Sequence, residues 1–401
     1  MDYRNDKFGN KVSILGYGCM RFSRKNGGVD IEKTEKEIMA AFEAGVNYYD
    51  TAYLYPGSED SLGQILEKNG IREKVNIATK LPQYLVKKPG DIDKFFDEEL
   101  RRLRTGYVDY YLMHHITDFS QWERLKRLGI GEWIAAQKAS GRIRNIGFSY
   151  HGNTDGFVRA LNDYDWDFCQ IQYNYVDETS QAGRAGLEAA QEKGIPVIIM
   201  EPLRGGKLVD KLPVKAKKLV ADSGIYGGLT LSDTGKAAAL AFRWLWDQPG
   251  VTCVLSGMNS LEMIKENCAA ADASQAGCME AEERELISKI KKIISETEKV
   301  GCTGCRYCMP CPAGVDIPTI FYYYNLMYSD GKWTGRSEYA QTNSLRNEPA
   351  FATLCVGCGK CESHCPQEIP IRAKLKEADR ALRPLPYKIG AKIMKKYMVR
   401  K

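Results

Sequence analysis

Two runs of four cysteines lie in the last quarter of this sequence, and each run ends in Cys-Pro. The eight thiols are Cys302, Cys305, Cys308, Cys311, Cys355, Cys358, Cys361 and Cys365. The second run has the C-x2-C-x2-C-x3-C-P spacing that holds iron–sulfur cubanes, in which each iron takes one protein thiolate. The first run is one residue shorter before its last cysteine. The spacing therefore predicts two [4Fe–4S] clusters and single-electron chemistry.

The two runs are expected to exchange one ligand each, because the fourth cysteine of such a run commonly binds the other cluster. By that rule one cluster is expected on Cys302, Cys305, Cys308 and Cys365, and the other on Cys355, Cys358, Cys361 and Cys311. Structural zinc would need two CxxC pairs separated by a loop and would not require Cys-Pro. Disulfides suit small secreted chains, whereas this chain is long and its polar N-terminus has no secretory signal. We therefore favour iron–sulfur ligation.

A second set of chemically capable side chains follows short β-rich runs in the first 300 residues. These runs predict strands at 12–16, 46–51, 75–80, 108–114, 143–149, 168–174, 196–201 and 252–256. The polar residues near their C-terminal ends are Asp50, Lys80, His114, Ser149, Gln172, Asn174, Glu201 and Ser256. One polar strand end can be a simple cap or turn, but seven strands with such ends indicate a shared site.

Amphipathic helical stretches separate the predicted strands and define the fold class. They lie at 34–44, 91–103, 122–139, 181–193, 234–246 and 261–271, and the first opens with a capping box at Thr34 and Glu37. Successive βα units predict a parallel sheet, and eight strands close a (β/α)8 barrel with its active site at the C-terminal strand ends. No G-x-G-x-x-G follows the first strand, which argues against a doubly wound fold. The predicted class is α/β, a (β/α)8 TIM barrel followed by a small, mainly α-helical two-cluster ferredoxin-like domain.

The barrel segment resembles the aldo-keto reductase superfamily in the order, spacing and strand positions of its motifs. The motifs are DTAYLY at 50–55, GSE at 57–59, LG at 62–63, TK at 79–80, DYYLMH at 109–114, GRIRNIGFS at 141–149, EPLRGG at 201–206 and EN at 266–267. The resemblance covers residues 1 to about 295. The remainder resembles the helical ferredoxin-type domain that is fused to one branch of this superfamily.

The resemblance implies a catalytic tetrad of Asp50, Tyr55, Lys80 and His114. Carbonyl reduction needs a hydride at carbon and a proton at oxygen. Tyr55 is expected to donate that proton, and Lys80 to stabilise the developing tyrosinate with its positive charge. Asp50 would pair with Lys80, and His114 would orient the carbonyl through a hydrogen bond. The adjacent His115 is expected to point to the other face of the strand and to be structural.

The resemblance also implies a nicotinamide cofactor, NADPH or NADH. The residues expected to bind it are Gly18, Met20, Arg21, Asp50, Ser149, Gln172, Met200, Leu203, Gly205, Gly206, Ser256, Gly257, Met258, Glu266 and Asn267. Ser149 and Gln172 would hold the nicotinamide carboxamide. Gly205 and Gly206 would pass close to the pyrophosphate, because a residue without Cβ permits backbone approach.

Three positions depart from the family pattern. Tyr150 stands where asparagine is common, Met200 where an aromatic ring often stacks on the nicotinamide, and Met263 where an arginine is common. The turn that would grip a 2′-phosphate, 257–265, has Lys265 as its one cation. Because such a phosphate favours Arg or Lys contacts, the sequence leaves the choice between NADPH and NADH open.

Positive charge is concentrated at the C-terminal end of this 401-residue chain, whose net charge is +6. Residues 366–401 carry 11 Lys/Arg against 3 Asp/Glu. The tail places apolar residues at helical spacing among lysines, which is typical of a solvated helix packed on its domain. Its functional interpretation is a docking patch for an acidic redox protein such as a ferredoxin or flavodoxin. No nucleic-acid module is found, and no apolar run approaches the about 18–20 residues that span a bilayer.

These features divide the chain into three parts. They are an aldo-keto reductase barrel at 1–295, a helical ferredoxin-like 4Fe–4S domain at 296–385 and a basic amphipathic tail at 386–401. Iron–sulfur ligands without a disulfide pattern indicate a reducing cytoplasm and an anaerobic or low-oxygen host.

Three functions stay open, because nicotinamides transfer two electrons as hydride whereas each cubane takes one. In the first, the barrel reduces a small aldehyde or ketone, or oxidises the alcohol, with a nicotinamide, and the clusters exchange electrons with another protein or are structural. In the second, the clusters supply electrons to a flavin or directly to the substrate, as in a ferredoxin- or flavin-linked reductase. In the third, the protein is a non-catalytic electron carrier or redox sensor, which the intact tetrad argues against.

Overall fold

Eight parallel strands close into a barrel, as the alternation of strands and helices predicts. The structure, a computed structural model, describes residues 1–225, 228–296, 298–302, 304, 306–344, 346, 348–365, 367–388 and 390. Around the barrel the strand order is β3-β6-β7-β8-β9-β10-β11-β12, and β12 pairs with β3. The strands are β1 (Tyr3–Asn5), β2 (Lys11–Ser13), β3 (Leu15–Gly18), β4 (Arg24–Lys25), β5 (Gly28–Val29), β6 (Tyr48–Asp50), β7 (Asn76–Leu81), β8 (Val108–Ile116), β9 (Ile143–Tyr150), β10 (Phe168–Gln172), β11 (Val197–Met200) and β12 (Val251–Ser256). The predicted barrel class is confirmed.

The first predicted strand, 12–16, is divided between two elements. Its first residues belong to β2, which pairs with β1 as an antiparallel hairpin, and its last residues open barrel strand β3. Tyr110 of the barrel donates its hydroxyl hydrogen bond to Asp6 in the hairpin turn at 2.9 Å. The hairpin therefore contacts the barrel interior at the N-terminal strand ends, opposite the end where the polar residues gather.

Helices follow the barrel strands and then continue as a separate group. They are α1 (Ile31–Glu43), α2 (Ser58–Lys68), α3 (Gly90–Leu103), α4 (Phe119–Arg127), α5 (Ile130–Ala139), α6 (Thr154–Asp163), α7 (Gly183–Glu192), α8 (Lys207–Asp210), α9 (Val214–Asp222), α10 (Asp233–Trp246), α11 (Leu261–Asp272), α12 (Ala281–Ser295), α13 (Ile317–Ser329), α14 (Lys332–Tyr339), α15 (Lys360–Ser363) and α16 (Ile371–Leu382). Within the described ranges, none of them is long and apolar enough to cross a membrane.

Two helix boundaries differ from the sequence prediction. The first helix begins at Ile31, because the Asp30 side chain accepts a hydrogen bond from the Lys33 backbone N–H at 3.2 Å. The expected capping residue Thr34 is instead buried inside this helix. The stretch predicted as one helix at 122–139 is two helices, because Gly129 adopts a left-handed conformation with φ +81° between α4 and α5.

The barrel interior below the polar strand ends is packed with aromatic and aliphatic side chains. The Tyr48 and Tyr110 ring centroids lie 5.0 Å apart, and those of Tyr110 and Phe168 lie 5.1 Å apart. Ile198 and Leu255 belong to the same buried cluster. The opposite faces of the strands pack against the helices in a larger core. Because both faces are buried, a one-residue shift of register would exchange the side chains of two differently packed cores.

The C-terminal helices form their own apolar core, which the cysteines border. Helix α13 packs against α14 and α16, and its aromatic residues Phe321 and Tyr323 are buried with Leu375 of α16. Helix α12, which ends at Ser295, packs instead against the barrel helices α9 and α10. The domain boundaries at 295/296 and 385/386 remain predictions, and only 386–388 and 390 of the basic tail belong to the described residues.

We predict that Gly63→Ala destabilises the barrel. A Cβ at Gly63 of α2 would lie 2.5 Å from the Arg102 carbonyl oxygen and 2.6 Å from the Leu103 carbonyl carbon. Because backbone cannot move aside as a flexible side chain can, a loss of about 1–3 kcal/mol is expected on thermal or urea unfolding of the full chain. Gly131→Ala in α5 is the control, because no atom lies within 4 Å of a Cβ there. A Gly63 variant as stable as this control would contradict the prediction.

Candidate active site and cysteine sites

A buried ion pair joins two neighbouring barrel strands at the catalytic end. The Lys80 Nζ of β7 lies 2.6 Å from Oδ1 of Asp50, the last residue of β6, and donates to the Thr51 carbonyl at 2.7 Å. The second Asp50 oxygen accepts a hydrogen bond from Gln170 Nε2 of β10 at 2.9 Å. Both charged side chains are almost fully buried. The two charges are therefore held in one geometry by hydrogen bonds from three different strands or strand ends.

Tyr55 and His114 complete the predicted group. The Lys80 ammonium lies 5.2 Å from the centroid of the Tyr55 ring, and the Tyr55 and His114 ring centroids are 6.1 Å apart in an edge-on arrangement. Burial, followed by the charges of Asp50 and Glu201, raises the pKa of Tyr55 well above its ordinary value. The structure thus brings all four predicted residues together, with Tyr55 as a protonated phenol able to donate a proton.

His114 is a neutral imidazole in this setting. Burial lowers its pKa well below the ordinary value, and the nearby Lys80 charge lowers it further. Its Nδ1 atom is buried and has no hydrogen-bond partner among the described residues. A neutral imidazole can donate or accept one hydrogen bond toward a bound group, depending on its tautomer.

A cavity of about 300 Å³ opens beside Tyr55 at the ends of β3, β6, β11 and β12. Most of the predicted nicotinamide-binding residues line it, namely Gly18, Met20, Arg21, Asp50, Met200, Leu203, Gly205, Gly206, Ser256, Gly257, Glu266 and Asn267. The sequence did not indicate the further lining residues Val209, Asp210, Thr234, Gly235 and Ala238, which belong to helices α8 and α10. Pro202, Asn259 and Met263 also line the cavity and lie in the 201–206 motif and the 257–265 turn that the sequence singled out. Glu201 also lines the cavity.

Bare backbone makes up the part of the cavity wall near Arg21. Gly205 has φ +65°, and a Cβ there would lie 2.8 Å from the Arg21 guanidinium. A Cβ at Gly257 would lie 2.9 Å from the Arg21 side chain. Arg21 itself is half-exposed and lies 3.9 Å from Glu201. Glycine backbone beside an arginine suits a phosphate-containing ligand, so these residues fit the predicted dinucleotide.

Three predicted cofactor residues do not line the cavity. The Ser149 hydroxyl accepts a hydrogen bond from the His115 backbone N–H at 2.8 Å, and Gln172 Oε1 accepts one from Gln181 Nε2 at 2.9 Å. Met258 is buried in the barrel core, and its carbonyl accepts a hydrogen bond from the Tyr17 hydroxyl at 2.6 Å. The Met258 side chain therefore packs in the apolar core and does not face the cavity.

The Asn174 side chain forms hydrogen bonds within the turn that follows its strand. Its Oδ1 accepts hydrogen bonds from the backbone N–H groups of Val176 and Asp177, both at 3.0 Å, and its amide donates to Asp177 Oδ2 at 2.7 Å. The side chain is fully buried in this turn. Its polarity at the strand end is accounted for by the turn.

His115 departs from the expected orientation. The register of β8 against β9 shifts between Met113 and Ile116, and His115 has φ +57°. Its ring centroid is 6.4 Å from that of His114 and 4.5 Å from that of His151. The bulge breaks the alternation of strand faces, so all three imidazoles lie at the catalytic end. Burial lowers the pKa of His115 to about 4.

The described cysteines of the two runs meet in two cavities. A cavity of about 230 Å³ is lined by Cys308, Cys311, Cys355, Cys358 and Cys361. A smaller cavity is lined by Cys302, Cys308 and Cys365 together with Ile317 and Phe321 of α13. Cys305 lies outside the described residues, as does Pro366. The cysteines thus come together across the two runs, Cys311 with the second run and Cys365 with the first.

The donor set suits clusters better than a single ion. Among the described side chains, no three His, Cys, Asp or Glu residues lie close enough together to hold one metal ion. Cubane ligands need not converge on one point, because each thiolate binds a different iron. Apolar side chains of α13 and α16 border both cavities.

The helical unit lies against the loops at the catalytic end of the barrel. Arg306 forms an ion pair at 2.8 Å with Asp155, at the start of α6, and Asp330, just after α13, forms one at 3.2 Å with Lys207. A cavity of about 90 Å³ lies between the two parts, and both Cys302 and Gln181 line it. Since Gln181 donates to Gln172 at the end of β10, one cysteine cavity faces the catalytic end of the barrel.

Arg204 connects the cavity loop of the barrel to α13. Its side chain is 9% exposed, donates from Nε to Asp177 at 2.9 Å and lies 3.7 Å from Asp330. Its guanidinium also lies 5.6 Å from the centroid of the Tyr322 ring of α13. Because Gly205 follows it directly, these contacts hold the loop that lines the 300 Å³ cavity.

A (β/α)8 barrel with this buried group at its strand ends, followed by two cavities lined by cysteines of both runs, defines a class of barrel oxidoreductase with an appended iron–sulfur domain. The model of the Aldo/keto reductase family matches residues 14–280, and the chain belongs to this family. It is an oxidoreductase of the aldo-keto reductase type. The model of a 4Fe-4S dicluster domain matches residues 301–369.

Several characterised proteins are similar to the barrel part. An L-galactose dehydrogenase of Arabidopsis thaliana is 27% identical over 73% of this chain and 93% of its own length. An NADH-specific methylglyoxal reductase of Escherichia coli is 24% identical over 67% of this chain and 91% of its own. A Bacillus halodurans aldo-keto reductase structure, in its holo form, matches with a TM-score of 0.58 and 25% identity over 72% of this chain and 96% of that one. A Klebsiella pneumoniae aldo-keto reductase in complex with NADPH shares the fold, with a TM-score of 0.57 and 22% identity over 73% of this chain and 96% of that one.

We predict that Lys80→Met destabilises the protein by about 3–5 kcal/mol, because it leaves the buried Asp50 carboxylate without its counter-charge. Lys68→Met is the matched control, since Lys68 is largely exposed and pairs with Glu35 at 2.7 Å. An exposed pair contributes at most about 1 kcal/mol. Chemical unfolding of the two variants measures the difference. Equal losses in the two variants would show that the Asp50–Lys80 pair is not the constraint described.

Proposed function

We propose that the barrel reduces an aldehyde or ketone, or oxidises the corresponding alcohol, with a nicotinamide cofactor. The group formed by Tyr55, Lys80, Asp50 and His114 beside the 300 Å³ cavity carries this proposal. It joins a protonated phenol, a fixed cation and a neutral imidazole at one cavity edge. These are the groups that a carbonyl needs when hydride reaches its carbon and a proton its oxygen.

Each residue has a distinct part in the proposed reaction. A bound nicotinamide supplies or accepts the hydride. Tyr55 gives a proton from its hydroxyl to the carbonyl oxygen, and the nearby Lys80 ammonium stabilises the phenolate that remains. Asp50 holds that ammonium through the 2.6 Å contact. His114 orients the carbonyl, which its neutral state permits.

The cavity residues and the relatives support a nicotinamide. Arg21 and the bare backbone of Gly205 and Gly257 provide for a diphosphate, and the Klebsiella relative is in complex with NADPH. The relative named for methylglyoxal reduction is NADH-specific. At the cavity end where Met263 and Glu266 lie, the described lining includes no Lys or Arg beyond Arg21. Since a 2′-phosphate is best held by such cations, assays with both NADH and NADPH are needed.

We further propose that the eight cysteines hold two [4Fe–4S] clusters that pass single electrons. The first is assigned to Cys302, Cys305, Cys308 and Cys365, and the second to Cys355, Cys358, Cys361 and Cys311. The gathering of cysteines from both runs in each cavity supports this crossed assignment. We also propose a cytoplasmic location, since reducing conditions preserve such clusters.

A second candidate function is a reductase in which the clusters supply the electrons, through a flavin bound in the barrel. It is favoured by the position of Cys302, which lines the cavity between the helical unit and Gln181 of the barrel. The hydrogen bond from Gln181 to Gln172 continues from there toward the barrel site. An anaerobic titration with NADPH and NADH that follows the cluster absorbance separates the two functions, because bleaching requires a carrier between hydride and cubane.

We predict that Tyr55→Phe lowers carbonyl reduction by about 10²–10⁴-fold, because the positioned proton donor is lost. Turnover is measured with a panel of small aldehydes and ketones, including methylglyoxal and a hexose, with each nicotinamide. Tyr107→Phe is the control, since Tyr107 contacts Arg72 and Arg144 away from the cavity. Cluster absorbance is expected to be unchanged in both variants. Full turnover by the Tyr55 variant would show that Tyr55 is not the proton donor.

We predict that Cys358→Ala loses about half of the iron bound per chain, because each cluster of a two-cluster domain needs all its thiolate ligands. Iron and sulfide are measured on anaerobically purified protein. Cys278→Ala is the matched control, since Cys278 lies outside both cysteine cavities. Its iron content is expected to equal that of the unaltered chain. An unchanged iron content in the Cys358 variant would contradict the ligand assignment.

A further inference from the structure

The two cysteine cavities differ in what covers them. The smaller one is bordered by the buried residues Ile317, Phe321 and Ile371, and its Cys302 also lines the cavity against the barrel. The larger one reaches the surface. Cys358 is exposed, and the neighbouring Tyr307 and Val356 side chains are 68% and 74% exposed. A partner protein can therefore approach the second cavity closely, while the first faces the barrel.

A stripe of cations leads to the exposed cavity. Arg372, Lys376 and Arg380 lie four residues apart along α16, so they share one helical face. The residues that α16 buries, Ile371 and Leu375 among them, lie on the other face. An open groove of about 900 Å³ runs beside the three cations to Cys355 and Val356.

The groove has positive charge available for a partner. Arg372 is held by Glu362 at 2.7 Å, and Asp379 by Arg383 at 3.0 Å. Lys376 and Arg380 have no carboxylate partner within the part of the chain that the structure describes. Residues 366–401 carry 11 Lys/Arg against 3 Asp/Glu, so the surroundings in sequence are also basic. An acidic surface would find complementary charge here and exposed apolar side chains at the groove's end.

We propose that this groove is the docking surface for an acidic one-electron carrier protein of the flavodoxin or ferredoxin class. The proposal rests on the proposed function, in which the cysteines hold clusters. The carrier's reduced cofactor loses one electron, and the [4Fe–4S]²⁺ cluster on Cys311, Cys355, Cys358 and Cys361 gains it to become [4Fe–4S]⁺. No bond forms or breaks and no proton moves. The cluster on the barrel side would then accept the electron second, beside the cavity that Cys302 shares with Gln181.

The exposure of the second cavity and the charge of the groove decide where the carrier docks and which charge it carries. Electron exchange between proteins requires close approach of the two centres, and the second cavity offers it at the exposed Cys358. Complementary charge raises the rate of encounter and is weakened by salt. A partner that carried the same positive charge as the groove would be repelled. Because the groove ends at Cys355 of the cysteine cavity, an acidic redox protein is favoured over a nucleic-acid or membrane partner.

The test reverses the two unpaired cations in Lys376→Glu/Arg380→Glu. Anaerobic stopped-flow follows cluster absorbance while flavodoxin hydroquinone reduces the full, cluster-loaded chain at low ionic strength. The second-order rate is expected to fall about tenfold or more, with a flatter salt dependence, because electrostatic steering is lost. Lys215→Glu/Lys218→Glu on barrel helix α9 makes the same change in net charge on exposed residues elsewhere. Its rate is expected to stay within about twofold of the unaltered chain, since steering depends on local charge.

Each outcome separates docking from the underlying function. Iron content and reduction by dithionite are expected to be equal in all three proteins. With iron present, an unaltered flavodoxin rate in the α16 variant would overturn the docking surface, and so would an equal fall in the α9 variant. Failure of flavodoxin to reduce the unaltered, iron-loaded chain would overturn the carrier class. Absence of iron from the unaltered chain would overturn the proposed clusters, and the docking surface with them.

Discussion

The buried ion pair between Asp50 and Lys80 is the constraint on which the catalytic end of the barrel depends. Removing two charges from water costs several kcal/mol for each ion, so the pair is stable only with excellent geometry and full hydrogen bonding. The Thr51 carbonyl and the Gln170 amide supply the remaining contacts from neighbouring positions around the barrel. The apolar packing of Tyr48, Tyr110 and their neighbours below excludes water. The Tyr55 ring lies beside the Lys80 ammonium, which this pair holds in place, and the His114 ring lies against the Tyr55 ring.

The helical unit is positioned by a second buried charge. Arg204 lies in the loop beside the barrel cavity, and its partners come from another barrel loop (Asp177) and from the end of α13 (Asp330). A side chain shared in this way ties the cavity loop to the helix that borders the first cysteine cavity. One cysteine cavity therefore lies on the barrel side, while the other includes the exposed Cys358. The arrangement gives the molecule one cysteine cavity that faces the barrel and one that faces outward.

Local sequence patterns predicted the elements well where one interaction dominates. The strand signal is strong because burial of both faces gives each strand a nearly continuous β-rich run, and all eight barrel strands were found near their predicted positions. The cap of α1, the break at Gly129 and the orientation of His115 were not predicted. Each depends on a competition between local conformations, such as Asp30 against Thr34 as the cap, or a bulge against regular pairing in β8. Small free-energy differences between these conformations decide the outcome, and the pattern of residue types in the sequence does not reveal such differences.

The sequence by itself determined the barrel class, the eight cysteines and the polar residues at the strand ends, because thiol spacing and the alternation of strands and helices are local properties. The tertiary structure alone decided which strand-end residues line a cavity. Ser149, Gln172 and Asn174 have partners of their own, whereas Glu201, Asn259 and Gly235 line the wall. It also decided which cysteine cavity faces the barrel. These outcomes depend on contacts between residues far apart in the chain, which only the packed fold brings together.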